Sequence, residues 1–210
     1  MKWIQTQDGS LTLHSEQYDE TLHSLSGAKE EAIKKYVEPC MISGHTNITI
    51  LDICFGLGYN SAAALDARRA GKTSIVAIEN DETILQQVLN MDYPFSSHEM
   101  LCHAIRQGSY EDQHVSLQLV VGDVRSVVPT LPCTFDAVFF DPFSPKKCPE
   151  LWTTTLFAQV FRVMKPGAVL ATYSCARSVR EAMISAGFHV RDGPCVGRKS
   201  PATIAIKPSE

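Results

Sequence analysis

Four carboxylates recur at matching places along the chain. Asp52, Glu79, Asp123 and Asp141 stand at or near the ends of short apolar runs, ITILDIC, SIVAIE, LQLVVGD and DAVFFD. Like charges gathered at one edge repel, so stability does not explain the set; a polar or cationic ligand among them does. Between the first two acids lies Asp52-Ile53-Cys54-Phe55-Gly56-Leu57-Gly58-Tyr59-Asn60. Gly56 and Gly58 let the backbone turn tightly and approach a bound molecule, and the helix start beyond them offers free N–H donors. Glu79 follows Gly58 by 21 residues, the place from which a carboxylate reaches both hydroxyls of a ribose, although an acid just past a strand also serves as a helix cap.

The ligand these groups suit is a cationic nucleoside. So many acids are a poor match for an anionic pyrophosphate, and the third position of the dinucleotide fingerprint is Ser61 rather than glycine or alanine. S-adenosylmethionine carries a ribose, an adenine and a sulfonium, and carboxylates around it are electrostatically sensible. Glu79 is then expected on the ribose, Asp123 near the adenine amine, and the glycine turn at the methionine end. Asp141 opens FFDPFSPKKCPELW, where Pro142, Pro145 and Pro149 restrict the backbone and Lys146 and Lys147 lie between the last two. Asp-Pro is common turn chemistry; the catalytic reading has Asp141 hold an amine and take its proton, with Pro142 and Phe143 excluding water beside the transfer line. Trp152 is either a packing residue at a helix start or a base-stacking platform. Tyr59 is a cofactor neighbour or packs beneath the first helix, and Asn60 is a cofactor neighbour.

The elements that position these residues follow from hydropathy. From residue 48, short β-branched runs alternate with helical patterns: helices are expected from Ser61 to Ala70 and from about Asp81 to Asn90, and a further strand at AVLATYS. Continuous apolar runs suit parallel strands covered on both faces. An α/β, Rossmann-like, doubly wound and mostly parallel seven-stranded sheet is therefore expected over residues 48–210. The runs Phe188–Arg191 and Thr203–Lys207 are joined without a helix and predict an antiparallel C-terminal pair. Residues 1–47 read as an N-terminal extension packed on the same domain, a hairpin at DGSLTLHS and then a helix opening at Gly27 and running towards Pro39; it is a decoration or a lid.

Bulk properties narrow the class. With 210 residues and 44% hydrophobic composition the chain can build one sizeable core. No apolar stretch is long enough to span a bilayer, and MKWIQTQDGSLTLHSE turns polar within a few residues, unlike a secretory signal. Seven scattered cysteines show no metal-binding spacing and read as reduced thiols of a cytoplasmic protein, with no metal and no membrane partner expected. The net charge of −4 argues against strong non-specific nucleic-acid binding. Locally, Arg177, Arg180, Arg191, Arg198, Lys199 and Lys207 outnumber Glu181, Asp192 and Glu210, a face that either touches phosphates or is simply solvated.

Several segments carry a resemblance: DGSLTLHSEQYDETLHSLSGAKEEA, LDICFGLGYNS, FFDPFSPKKCPELWT, MKPGAVLATYS and AGFHVRDGPCVGRK. In this order they span nearly the whole chain. It resembles the class I S-adenosylmethionine-dependent methyltransferases, and more narrowly the methyltransferase domain of the tRNA 5-methylaminomethyl-2-thiouridine biosynthesis proteins. The resemblance implies methyl transfer to the primary amine of an aminomethyl group on the wobble uridine of tRNA. It further implies a cofactor site including Ser24, Gly27, Asp52, Gly56, Gly58, Asn60, Glu79, Asp123 and Asp141, closed over by the N-terminal segment, with Ala28 and Lys29 in its wall. Lys146, Lys147, Arg198 and Lys199 become candidate RNA contacts. With no second glycine-rich motif the chain is similar to the free-standing form, whose aminomethyl substrate a partner enzyme would supply. It departs from the family pattern at His14, Pro142, Cys148 and Ser200-Pro201. Two other classes fit the same residues: an aminopropyltransferase using the decarboxylated donor, and a non-catalytic RNA-binding protein on the same fold.

Overall fold

A computed structural model describes residues 1–209. Five parallel strands form the centre of the main sheet: β4 (Ile48–Ile53), β5 (Thr73–Glu79), β7 (Val115–Val121), β8 (Phe135–Phe140) and β9 (Met164–Thr172). The short β6 (Ser109–Glu111) and the late strands β10 (His189–Asp192) and β11 (Thr203–Ile206) complete it, in the order β10-β11-β9-β8-β4-β5-β7-β6. The C-terminal antiparallel pair is present, with β11 inserted between β9 and β10. The sheet extends the expected seven strands to eight. Gly108, at φ 83°, ends the preceding helix and turns the chain back so that β6 pairs antiparallel with β7.

The uninterrupted apolar runs form strands because both faces of the sheet are covered. In β8, Ala137 and Phe139 enter one core layer, and Val138 and Phe140 the other. Both phenylalanines are fully buried, and each contributes about 1.5–3 kcal/mol through removal of its ring from water. One face holds α2 (Tyr59–Ala67) and α4 (His98–Gln107); the other holds α6 (Thr154–Val163) and α7 (Arg177–Ser185). Chain order runs outward from β4 through β5 to β7 and, on its other side, from β8 to β9. The strand order thus reverses between β4 and β8, where the carboxyl ends of open α/β sheets leave a crevice.

The N-terminal segment forms its own three-stranded sheet, β1 (Lys2–Gln5), β2 (Leu11–Ser15) and β3 (Glu20–Thr21), followed by α1 (Ala28–Glu31). Helix α1 continues as a π-helical turn over Ala32–Val37, closed by Glu38 N–H donating to Ile33 O at 2.9 Å. This segment packs into the main core: Tyr36 is fully buried edge-on to Phe139, and the Tyr59 hydroxyl donates to Leu11 O at 2.9 Å.

Helix α1 has glycine at its N-cap, so the hairpin supplies its cap instead. Ser10 Oγ accepts from Ala28 N–H at 3.0 Å, and Asp8 Oδ2 accepts from Glu30 N–H at 2.9 Å. A Cβ at Gly27 would collide with the Asp8 carboxylate, so glycine is required there. Burial raises the Asp8 pKa, but hydrogen bonds from Ser10, Glu30 N–H and Thr6 outweigh it and bring the carboxyl to about 2. A carboxyl depressed on folding stabilises above its unfolded pKa and ceases to do so as pH falls through the folded one. Asp8→Ala is expected to cost about 1 kcal/mol in neutral urea unfolding, the usual worth of a helix cap. The difference from the unaltered chain should shrink as the pH falls from about 4 to about 2.

Candidate active site

The turn after β4 is built from alternate left-handed residues: Cys54 at φ 63°, Gly56 at 56° and Gly58 at 78°. Gly58 is the N-cap of α2, and a Cβ on it would meet the Phe55 ring at 2.5 Å and Leu101 at 2.7 Å. Its smallness serves packing beneath the turn. Gly56 is more open and donates its N–H to Glu79 Oε2 at 2.8 Å. Glu79 Oε1 accepts from Asn80 and Asp81 N–H at 2.9 and 3.0 Å. Glu79 therefore clamps the glycine turn to the end of β5. Three of its roughly four acceptor positions are used, leaving one for a ligand hydroxyl. Burial raises its pKa above the ordinary value, opposed by the three N–H groups.

Asp52 is wholly buried in β4. Its Oδ2 accepts from Ser61 Oγ at 2.6 Å, and Oδ1 has no hydrogen-bond partner among the described residues. Burial pushes the carboxyl up to about 8, against the Ser61 hydrogen bond and with added repulsion from Asp141 and Glu79. An orphaned polar atom just ahead of the glycine turn marks a place for a polar ligand group. The Cys54 thiol is pushed well up by burial and then by the Glu79 charge; it stays a thiol and is no nucleophile.

Asp141 follows β8 directly, its N–H donating to Ile53 O at 3.1 Å. The Tyr36 hydroxyl donates to Oδ1 at 2.5 Å and Asn60 Nδ2 to Oδ2 at 2.9 Å. Burial pushes this carboxyl up to about 7 and the Glu31 charge adds to the rise, while the Tyr36 and Asn60 hydrogen bonds and the Lys35 charge oppose it. Two donors from different elements thus fix the orientation of Asp141. The loop behind it is tied at every turn. Tyr173 Oη donates to Pro142 O at 3.0 Å, Trp152 Nε1 to Phe143 O at 2.8 Å, and Ser144 N–H to Glu20 Oε2 of β3 at 2.8 Å.

A cavity of about 530 Å³ lies outside these strand ends, within the range of about 300–1,000 Å³ usual for small-molecule sites. Its lining includes Gly56, Glu79, Asp123, Asp141, Pro142 and Phe143, all expected from the sequence. Tyr18, between β2 and β3, stacks on Phe143 with ring centroids 4.2 Å apart and brings the N-terminal segment over the opening. Asp123 caps the short helix α5 (Val124–Val127), accepting from Arg125 N–H at 2.8 Å and pairing with the Arg125 guanidinium.

The other expected residues stand behind the cavity. Asn60 touches its wall through the hydrogen bond to Asp141, while Asp52 is wholly buried in β4 and Gly58 makes room for Phe55 and Leu101. Ser24 and Gly27 lie off the lining: Ser24 N–H donates to Glu31 Oε2 at 2.7 Å, and Gly27 makes room for Asp8. Trp152 is buried against Phe140 and Phe157, a packing residue. Lys146 is exposed, whereas Lys147 pairs with Asp19 at 3.6 Å. Arg198 and Lys199 are exposed, and Arg198 donates to Tyr173 O. Sequence reading missed Tyr18, Glu31, Lys35 and Tyr36; Tyr36 lies 105 positions from its partner Asp141 and nothing local marks it. Among the described residues, no group of three or more His, Cys, Asp and Glu side chains is placed to hold a metal ion. No helix there is long and apolar enough to cross a membrane.

Fold, crevice and acids together describe an α/β enzyme that binds a nucleoside-bearing donor. Residues 84–208 match the S-adenosyl-L-methionine-dependent methyltransferases, and the chain belongs to that family. It is 34% identical over 211 residues to an uncharacterized protein of Methanocaldococcus jannaschii, covering 97% of this chain and 59% of that one. It is 33% identical over 221 residues to the tRNA 5-methylaminomethyl-2-thiouridine biosynthesis bifunctional protein MnmC of Ralstonia nicotianae, covering 94% of this chain and 33% of that one. The chain thus spans less than two thirds of these relatives' length. The crystal structure of MnmC2 from Aquifex aeolicus superposes with a TM-score of 0.86 at 32% identity, over 100% of this chain and 71% of that one. Spermidine synthase from Thermotoga maritima, at TM-score 0.62 and 13% identity over 99% and 68%, shares the fold alone.

The residues present fit S-adenosyl-L-methionine: a spare acceptor on Glu79, an orphaned buried atom on Asp52, and carboxyls that a sulfonium would stabilise as anions. A cation arriving beside Asp141 lowers its pKa from about 7, so binding near neutrality releases protons. Titration calorimetry of donor binding in two buffers of different ionisation enthalpy should show release at about pH 7 and none at about pH 9. Asp141→Asn should reduce it, the remainder coming from Asp52; proton uptake would contradict the charge assignment.

Proposed function

We propose that this chain methylates the primary amine of an aminomethyl group on the wobble uridine of tRNA. The observation that carries the reading is the Asp141 carboxyl: partly buried, held by Tyr36 and Asn60, and lining the donor cavity. The likeness to MnmC2 over 100% of this chain and the name of the Ralstonia relative support the substrate.

In this reading Glu79 binds the ribose, the Gly56 turn and Asp52 hold the methionine end, and Asp123 lies at the adenine. S-adenosyl-L-methionine supplies a methyl group already activated by the sulfonium, with the C–S electron pair leaving on sulfur. The protein must then align a neutral amine with that carbon. Asp141 accepts a hydrogen bond from the amine, orients its lone pair and takes its proton as the N–C bond forms, which a pKa of about 7 allows. Phe143, covered by Tyr18, keeps water from the transfer line, and the Tyr173 tie to Pro142 O fixes the backbone beside it. Lys146, Arg198 and Lys199 are the exposed cations for RNA phosphate; Lys147 would exchange Asp19 for it.

Labelled donor and tRNA bearing the aminomethyl modification, followed by nucleoside analysis, test the proposal. A methylated nucleoside is expected; none, despite demonstrated donor binding, would overturn the substrate assignment. Tight binding of only the decarboxylated donor would favour an aminopropyltransferase, and failure to bind either donor a non-catalytic RNA-binding protein. Asp141→Asn should lower transfer by about 10²–10⁴-fold, the usual contribution of a general base, with donor affinity within about tenfold of the parent. Glu79→Gln should weaken donor binding by about tenfold or more through its lost charge-assisted hydrogen bonds.

A further inference from the structure

The N-terminal helix carries a buried ion pair that the mechanism so far leaves unused. Lys35 Nζ meets Glu31 Oε1 at 2.6 Å, and the two side chains are only 3% and 8% exposed. Glu31 Oε2 is also engaged, accepting from Ser24 N–H at 2.7 Å. Pairs of this kind add little stability, because desolvating two charges offsets their attraction and an apolar pair of similar volume does as well. A stability role therefore leaves the pair unexplained. Its position does not: the residue after Lys35 is Tyr36, whose hydroxyl holds Asp141.

We propose that Glu31 and Lys35 are positioning residues for methyl transfer: a buried pair of opposed charges on the helix whose Tyr36 hydroxyl holds Asp141, acting on that carboxylate from outside the donor cavity. Neither residue lines that cavity. The charges act in opposite senses: Glu31 makes the Asp141 carboxylate harder to form and Lys35 makes it easier, the Glu31 effect being the larger. The other groups facing Asp141 are Tyr36 from the same helix, Asp52 and Cys54 from β4 and its turn, Asn60 from α2, and Tyr173 beyond β9. Of these, burial raises the pKa of Asp52, Cys54, Tyr173 and Tyr36 alike. Glu31 is the anion and Lys35 the cation with the largest effects on Asp141, and Glu79 is the further carboxylate of the same site.

The inference rests on Asp141 as the proton acceptor, and its test separates the two. The Asp141 carboxyl is titrated by carbon-13 NMR in the donor-free protein, assigned by its loss in Asp141→Asn, and the pH profile of single-turnover methyl transfer is recorded alongside. Lys35→Met should move the Asp141 midpoint up by roughly one pH unit, and Glu31→Gln should move it down by a similar amount. The double variant should return towards the parent. The acid limb of the rate profile should follow the same three shifts. A purely structural role predicts lower melting temperature and lower rate without opposed shifts; midpoints that stay put, or move the same way in both single variants, overturn the proposal. Should Lys35→Met fail to fold, the near-isosteric Glu31→Gln decides alone: a downward shift upholds the proposal and an unmoved midpoint ends it. Opposed NMR shifts without any methylation of tRNA would sink the substrate reading and leave this one standing.

Discussion

The hydrogen bond from Tyr36 to Asp141 joins the two parts of the chain on which the site depends. Asp141 sits where the strand order reverses, at the carboxyl end of β8. Tyr36 comes from the N-terminal extension and is fully buried against the same strand through Phe139. Asp141 is partly buried at the cavity wall, where a carboxylate without partners would bear part of the desolvation penalty of a buried charge. Tyr36 and Asn60 each give it a donor, and their hydrogen bonds oppose the rise in pKa that burial and the Glu31 charge bring. The extension is therefore as much a part of the site as the sheet.

The main fold and half of the site were legible in the sequence for physical reasons. Short β-branched apolar runs without alternation suit strands buried on both faces, and Ala137–Phe140 enter both core layers as that requires. Acids at strand ends converge because parallel strands share one carboxyl edge, which brought Glu79, Asp123 and Asp141 to one cavity. What could not be read was contact across the fold. Tyr36, Glu31 and Lys35 lie on a helix whose pattern looks merely amphipathic, and their partners are fixed only when the helix docks. The glycines were legible as a turn but not in their separate duties, Gly56 as a donor to Glu79 and Gly58 as space for Phe55 and Leu101. Ser24 and Gly27 do not line the cavity: Ser24 ties to Glu31 and Gly27 makes room for Asp8, contacts that no local pattern announces.

Rigidity in the loop after Asp141 comes from two sources. The prolines narrow what the unfolded loop can explore. In the folded state, backbone carbonyls at Pro142 and Phe143 accept from Tyr173, Trp152 and Cys148, so adjacent peptide units are fixed by side chains from other elements. Glu20 adds the hairpin to that set through Ser144 N–H. Donor cavity, loop and hairpin form one connected unit.

The π-helical turn over Ala32–Val37 has a consequence for how related chains are compared. Each residue advances a helix by about 100°, so the wider turn offsets the face bearing Glu31 from the one bearing Tyr36 by one added residue. Removing a single residue there would restore an ordinary helix and swing Glu31 and the Ser24 contact round by about that angle. A one-residue gap in this stretch is thus a marker legible from alignment alone: chains that carry it would present a different side-chain set behind the Asp141 position, even where every strand-end acid is retained.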